Sequence, residues 1–174
     1  MPSPLAHSLA GLTVYVLTGP RAPVYSWRGV AIVTAAAVAP DLDLLLRFLD
    51  GRNHHQAQVH SVGFALLAAL LVFAVASWRG WAGAAGLGLG ACLGWLSHLG
   101  LDYLSVDTHP PIGLMAFWPF STAYFKSSWP LFLDIGRTLE WATVRHDAVA
   151  MAWEAAVLVT CLALARRLRA PRKG

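Results

Sequence analysis

The sequence predicts an all-α membrane protein that crosses a lipid bilayer with about four to five helices. Only 13% of its 174 residues are charged and 57% are hydrophobic, whereas a soluble domain averages about 25% charged residues. Several apolar segments approach the ~20 residues that a membrane-spanning helix needs. Hydrocarbon offers backbone groups no hydrogen-bond partners, so these segments must be helical. The length predicts a single membrane-embedded domain over residues 1–174.

Five segments are candidate spans, and they differ in quality. The third is uninterrupted apolar sequence, and the fourth is rich in glycine, which lets helices approach closely in lipid. The last contains one acid, Glu154. The first is short for a span and lacks the basic residue that normally precedes a secretory signal, so we expect it to be retained and either tilted or partly inserted. The five segments are residues 5–19, 29–46, 61–78, 80–104 and 148–165.

Residues 105–147 form a long polar segment between the last two candidate spans. The segment contains the turn signals HPP, WPF and SSWP. Its aromatic residues Trp118, Tyr124 and Trp129 are of the types enriched at membrane–water interfaces. We therefore expect it at the membrane surface, with 118–129 as a lid or shelf over the neighbouring helix ends.

The distribution of charge predicts the orientation of the chain. Five of the thirteen basic residues lie in the tail 166–174, and basic flanks favour the cytoplasmic side. With this tail in the cytoplasm, five spans place Arg28 and Arg79 inside and the 105–147 segment outside. The positive charge is thus explained by a membrane flank, and no basic base-reading face predicts nucleic-acid binding. Two cysteines without partners at metal-clip spacing argue against a zinc ribbon or disulfide framework.

Histidines and aspartates gather at the outer ends of four segments on this threading. Ionisable groups inside a membrane are costly, so they usually line a cavity, pair with one another or bind ions. His98 and Asp102 are four residues apart, which places them on one face of a helix. A turn at Pro40 can aim nearby carboxylates at an ion. The residues are His7, Asp41, Asp43, His54, His55, His60, His98 and Asp102.

Imidazole together with carboxylate is a ligand set for zinc and related divalent ions. Eight such residues exceed one tetrahedral site, so we expect two or three ions, or one ion with supporting residues and catalytic bases. Several of these residues, taken one at a time, could serve only packing or a helix end. Their common position at one side of the membrane favours metal binding. His109 and His146 lack partners at helical spacing and are interpreted as surface residues. For Glu154, a packing hydrogen bond, a water contact and support of the site stay open.

With these residues in place, the chain resembles the YdjM-like family of membrane-bound metal-dependent hydrolases over roughly residues 1–135. The matching pieces are His7-Ser8, Pro40-Asp41-Leu42-Asp43, His55 to His60-Ser61, His98-x-x-x-Asp102, and Pro111-Ile112-Gly113 through Phe117-Trp118-Pro119-Phe120-Ser121. The family is similar in motif to zinc-dependent phospholipase C and the P1-type nucleases. The resemblance also implies a bacterial inner membrane.

The resemblance implies a set of roles for the residues of the cluster. His7, Asp41, His55, His60, His98 and Asp102 would be metal ligands, whereas Asp43 and His54 would be ligands or residues that hold the ligands in place. The expected metal is zinc, with manganese as a second choice.

These roles predict hydrolysis of an ester or phosphoester, in a lipid or lipid-linked substrate, by metal-activated water. Whichever of Asp41 and Asp43 is not tied to metal would accept the proton. One alternative is a metal-binding or metal-transporting protein, which Glu154 within a span favours. A serine protease is disfavoured because Ser97 and His98 are adjacent on a helix and cannot face each other. A structural protein with packing histidines is the remaining alternative.

Overall fold

The computed structural model describes residues 1–19, 26–136 and 138–170, and in these residues every regular element is helical. Two isolated β-bridges occur in the polar segment, and no strand forms in the described ranges. The all-α prediction is therefore confirmed. The elements are α1 (Pro4–Thr18), α2 (Trp27–Val38), a 3₁₀ segment (Ala39–Leu46), α3 (Arg47–Asp50), α4 (Val62–Trp78), α5 (Ala84–Tyr103) and α6 (Trp141–Arg169).

Three helical stretches are long and apolar enough to cross a membrane: Trp27–Asp50, Ala84–Tyr103 and Trp141–Arg169. The helices Pro4–Thr18 and Val62–Trp78 are apolar but shorter, with 15 and 17 residues. This agrees with four to five membrane helices, of which the first is short. The 61–78 segment, the clearest span in the sequence, is at the lower end of the spanning range.

The last helix begins earlier than the sequence predicted. It starts at Trp141, within the segment expected to be a polar loop up to residue 147. Arg145, His146 and Asp147 occupy its first turns. Hydropathy identifies only the apolar part of a helix. Polar residues can continue the same helix into water, because they do not break its backbone hydrogen bonds.

The helix ends near the polar cluster are fixed by residues that the sequence supplies locally. Ser3 caps α1 by accepting a hydrogen bond from the Ala6 amide, and Ser61 caps α4 by accepting one from Phe64. Pro40 has no amide hydrogen, and the α2 helix changes to 3₁₀ geometry around it. These three positions begin or re-aim the segments that carry the candidate ligands.

Helix α1 packs against α2, α5 and α6, and α5 packs against α2 and α4. Glycines make the closest approaches. A Cβ atom on Gly94 would lie 2.6 Å from the Val33 carbonyl oxygen, and one on Gly11 would lie 2.7 Å from the Ala37 Cβ. The predicted close packing through glycine is therefore present, and it brings the ends of α2 and α5 together.

Several basic residues lie at the opposite end of the helices, whereas Arg47, Arg52 and Arg145 do not. Arg28 stacks on the Trp81 ring, 4.4 Å from its centroid, and Arg169 donates a hydrogen bond to the Gly19 carbonyl. Both contacts are at the helix ends remote from His7 and Asp102. In the described residues, the remote end thus carries arginines without acids, whereas the histidines and aspartates gather at the other end.

Candidate metal centre

Seven of the eight predicted site residues converge at one end of the bundle. His7 lies in α1, Asp41 and Asp43 in the 3₁₀ segment, His55 and His60 in the loop before α4, and His98 and Asp102 in α5. Every one of them is buried except Asp41, whose side chain keeps 14% of its surface exposed. Four chain segments separated by up to 95 positions, from His7 to Asp102, therefore build one cluster.

The centre of the cluster is formed by His98 and Asp102. The His98 Nε2 atom lies 3.1 Å from Asp102 Oδ2 and 3.2 Å from His60 Nε2. The Asp102 carboxylate also lies 3.6 Å from His7 Nε2 and 3.4 Å from His60 Nε2. The predicted same-face geometry of His98 and Asp102 is confirmed.

Asp41 faces the same centre from the 3₁₀ segment. Its carboxylate oxygens lie within 4.0 Å of three imidazole Nε2 atoms, those of His7, His60 and His98. Since Asp41 alone of the cluster is partly exposed, it connects the buried nitrogens with the space outside.

Asp43 has a different position, on the far side of two imidazoles. Its Oδ1 lies 2.8 Å from His55 Nδ1, and its Oδ2 lies 3.1 Å from His60 Nδ1. A carboxylate at Nδ1 orients the ring and keeps Nδ1 from binding a metal ion, so Nε2 is the nitrogen that would bind one. In this structure the His55 Nε2 atom contacts Met1 Sδ, and the His60 Nε2 atom faces His98 and Asp102. Asp41 and Asp43 point apart because each residue of a 3₁₀ helix turns the chain by about 120°. Of the two roles predicted for Asp43, the geometry favours support of the ligands.

His98 is oriented in a similar way by the backbone. Its Nδ1 lies 2.8 Å from the Ala37 carbonyl oxygen, to which it donates a hydrogen bond. That carbonyl is available because Pro40 has no amide hydrogen for the 3₁₀ turn that follows. The His98 Nε2 lone pair is therefore directed at Asp41 and Asp102.

The potential ligand atoms fall into two groups of three. His7, His98 and Asp102 form one group, and Asp41, His55 and His60 form the other, with the atoms of each group within 4.8 Å of one another. In the described residues, both His7 nitrogens, both Asp102 carboxylate oxygens and Asp41 Oδ1 are buried without a hydrogen-bond partner. Each such atom costs about 1–3 kcal/mol. Divalent cations would satisfy the carboxylate oxygens and one nitrogen of His7, so the residues fit the expected metal.

His54 is the predicted site residue that the structure leaves outside the cluster. Its Nε2 lies 2.6 Å from Asp50 Oδ2, and both side chains are substantially exposed. The neighbouring His55 turns inward instead, because adjacent loop residues can face opposite sides. The prediction that His54 binds metal or supports the ligands is not consistent with this position.

A cavity of about 130 Å³ opens beside Asp41. Its walls include Leu44, His109, Ile135 and Gly136, together with the N-terminal residues Met1 to Pro4. Sequence reasoning assigned His109 to the surface, and no spacing signal links it to the cluster. Its position in the cavity wall follows from the fold of the polar segment.

The polar segment is held against the loop that carries the ligands. The Met115 amide donates to the Gln56 carbonyl at 2.9 Å, and the Val62 amide donates to the Ala116 carbonyl at 2.9 Å. Trp129 is 86% exposed, as a membrane-interface residue would be. Residues 118–129 do not line the cavity described above, so their arrangement resembles a shelf beside the site more than a lid.

Glu154 has a defined partner in the structure. Its carboxylate is buried and accepts hydrogen bonds from the Ser3 hydroxyl at 2.6 Å and from the Ser3 amide at 3.1 and 3.2 Å. It therefore anchors the start of α1 to α6, one turn before His7. Of the three interpretations left open by the sequence, the packing hydrogen bond is the one observed.

This fold and site define an all-helical membrane protein with a buried cluster of histidines and aspartates that is suited to metal. The chain belongs to the YdjM inner membrane protein family, whose family model matches residues 1–171. The match extends past residues 1–135, over which the sequence motifs resemble the family, and includes all of α6. Comparisons with curated proteins and with solved structures find no match. The similarity to zinc-dependent phospholipase C and P1-type nucleases stays a prediction.

Proposed function

We propose that this protein is a membrane-bound metal-dependent hydrolase that cleaves an ester or phosphoester in a lipid or lipid-linked substrate. The observation that carries the proposal is a set of buried imidazole nitrogens and carboxylate oxygens without hydrogen-bond partners. This set opens through Asp41 onto a cavity of about 130 Å³. A packing cluster would have its polar atoms paired with one another and would need no opening.

The residues of the cluster would have different roles in hydrolysis. Divalent metal, expected to be zinc and alternatively manganese, would polarise the scissile group and make water more acidic. His7, His98 and Asp102 would hold one ion, and Asp41, His55 and His60 a second. Asp41 also borders the cavity, so a carboxylate oxygen of Asp41 that does not bind the ion is placed to accept the proton of the attacking water. Asp43 has both oxygens beside imidazole nitrogens, which favours an orienting role.

The surroundings of the cavity support a lipid substrate. Leu44 lines it, and the same short stretch exposes Leu45, Phe48 and Leu49, of which the last two are more than 80% exposed. Such apolar surface beside a cavity that Asp41 and His109 line suits a substrate with an acyl chain and a polar head group. The basic end of the bundle lies opposite, so the positive-inside rule would place the cavity at the outer face and the C-terminal end in the cytoplasm.

The alternative functions have less support. A transport path through the bilayer would need polar groups free to contact an ion, and Glu154 is engaged with Ser3. For a serine protease, the Ser97 hydroxyl donates to the Gly94 carbonyl at 2.7 Å and Ser61 caps α4. A protein that binds metal without hydrolysis would use the same ligands, and only an activity assay distinguishes it from a hydrolase.

The test is the metal content of the detergent-purified protein, followed by hydrolysis assays. Two equivalents of zinc or manganese are expected in the wild type, and Asp102→Ala should lose them. The control Asp50→Asn removes an exposed carboxylate that contacts a histidine, and it should retain the metal. Release of head groups from phospholipid vesicles should be lost in the same variant. Absence of stoichiometric metal after reconstitution would refute the proposal. Metal without hydrolysis would leave a binding or transport role.

A further inference from the structure

We propose that His109 is a catalytic residue, the acid that protonates the leaving oxygen of the substrate. This inference rests on the proposed hydrolysis and adds a second proton-transferring group to it. His109 lies outside both groups of potential ligands and comes from the polar segment, not from a membrane helix. Its side chain forms part of the wall of the cavity beside Asp41.

The cavity places His109 and Asp41 around the same small space. With a volume of about 130 Å³, it is only a few atoms across. Both residues line it, so a phosphoester group bound there would lie beside Asp41 and His109. Hydrolysis needs a base on the side of the attacking water and an acid on the side of the leaving group. Asp41, which also approaches three imidazoles, is suited to the first task, and His109 to the second.

The neighbours of His109 define which ring nitrogen is engaged by the protein and which is left for proton transfer. Its Nδ1 lies 3.3 Å from the Thr108 hydroxyl, and that hydroxyl donates to Asp134 Oδ2 at 3.2 Å. Because one hydroxyl has one hydrogen to give, the consistent arrangement is His109 Nδ1–H donating to Thr108, and Thr108 donating to Asp134. The Nε2 atom then remains as the nitrogen that exchanges a proton with the substrate.

Further contacts hold this chain of groups in place. The other Asp134 oxygen, Oδ1, lies 3.3 Å from His146 Nε2 on the first turns of α6. The buried Asp107 carboxylate accepts hydrogen bonds from the His109 amide at 3.1 Å and from the Gly113 amide at 2.6 Å. Asp134 thus reaches the His109 ring through Thr108, which is an indirect form of the contact between acid and histidine that recurs in proton transfer. His146, like His109, therefore has a partner that sequence spacing did not reveal.

The step balances without any further reactant. The oxygen of water forms a bond to phosphorus, and the bond between phosphorus and the leaving oxygen breaks. The electron pair of the broken bond stays on the leaving oxygen, which takes the proton from His109 Nε2. Asp41 takes the proton that the water loses and then releases it to solvent, and exposed His109 regains its own proton from solvent. The net change is the consumption of one water.

The experiment compares two substrates that differ in the leaving group. An alkyl phosphoester needs a proton on its leaving oxygen, whereas a p-nitrophenyl phosphoester does not. His109→Gln should lower kcat for the alkyl ester by about 100-fold and for the p-nitrophenyl ester by less than about threefold, since acid catalysis contributes about 10²–10⁴-fold. Metal content should be unchanged. Asp134→Asn should give the same selectivity with a smaller loss, and exposed His54→Gln should change neither rate.

The outcomes separate this inference from the function on which it rests. Equal losses for both esters, or no loss for either, would overturn the role of His109 while hydrolysis itself stands. Loss of metal in His109→Gln would also overturn it, because an acid is not a ligand. A wild type that binds metal and cleaves neither ester would refute the proposed function, and the inference with it. Asp102→Ala, in contrast, should abolish both rates together with metal binding.

Discussion

The substitution Asp43→Asn tests whether this carboxylate orients ligands or binds metal itself. Asp43 lies 2.8 Å from His55 Nδ1 and 3.1 Å from His60 Nδ1, and its side chain is buried. Asparagine keeps one oxygen for one imidazole but presents N–H groups to the other ring, whose Nδ1 also carries a hydrogen. One of the two orienting contacts is therefore lost, and a repulsion replaces it.

The magnitude follows from the contact that is removed. A hydrogen bond to a charged group contributes about 1.5–3 kcal/mol, and each 1.4 kcal/mol changes a binding constant about tenfold. Removal of such an orienting partner typically lowers metal affinity about 10–100-fold, which agrees with this range. His55 and His60 belong to the same group of three potential ligands. We therefore expect one of two ions to weaken and the other to stay.

The assay is a metal titration of the detergent-purified protein against a chelator of known affinity. Asp43→Asn should hold about one equivalent at limiting metal and two at excess. Asp50→Asn is the matched control, because it alters a carboxylate 2.6 Å from an exposed histidine. Wild-type affinity in Asp43→Asn would refute the orienting role. Loss that excess metal does not restore would show that Asp43 is itself a ligand.

Two further substitutions test the packing that supports the site. Glu154→Gln should lower the free energy of unfolding by about 2 kcal/mol, since the buried carboxylate accepts hydrogen bonds from Ser3. It should also weaken metal binding, because the His7 amide donates a hydrogen bond to the Ser3 carbonyl. An unchanged melting temperature and an unchanged metal affinity would contradict this prediction. Gly94→Ala should lower stability by about 1–3 kcal/mol through overpacking against α2. Its control is Gly86→Ala, where a Cβ meets nothing within 4 Å, and equal melting temperatures for the two alanine variants would count against the close packing.

The sequence predicted the class of fold and most of the cluster because both depend on local properties. Low charge and long apolar segments are sufficient to indicate membrane helices. The four-residue spacing of His98 and Asp102 is converted into a shared face by the geometry of any α-helix. The order of the apolar segments along the chain predicted that the polar residues lie at the outer helix ends. Seven of the eight predicted residues do lie together at one end of the bundle.

The roles of individual residues depend on turns that the sequence pattern does not specify. Asp41 and Asp43 are equivalent carboxylates in the sequence, and the 3₁₀ geometry after α2 separates them into one that faces the cavity and one that faces Nδ1 atoms. His54 and His55 are adjacent, and the loop turns one outward to Asp50 and the other inward to Asp43. The direction of each side chain in these segments depends on how the backbone rotates from one residue to the next. A loop has no regular period, so the sequence pattern does not specify that rotation.

Composition, apolar length and helical spacing by themselves determined that this is a helical membrane protein with histidines and aspartates at one end. Tertiary structure alone decided the partners that lie far apart in the chain. Glu154 meets Ser3 across 151 positions, and Thr108 joins His109 to Asp134 at the wall of the cavity. Such contacts arise from how helices pack and where a polar segment returns to them, and packing depends on the whole chain at once.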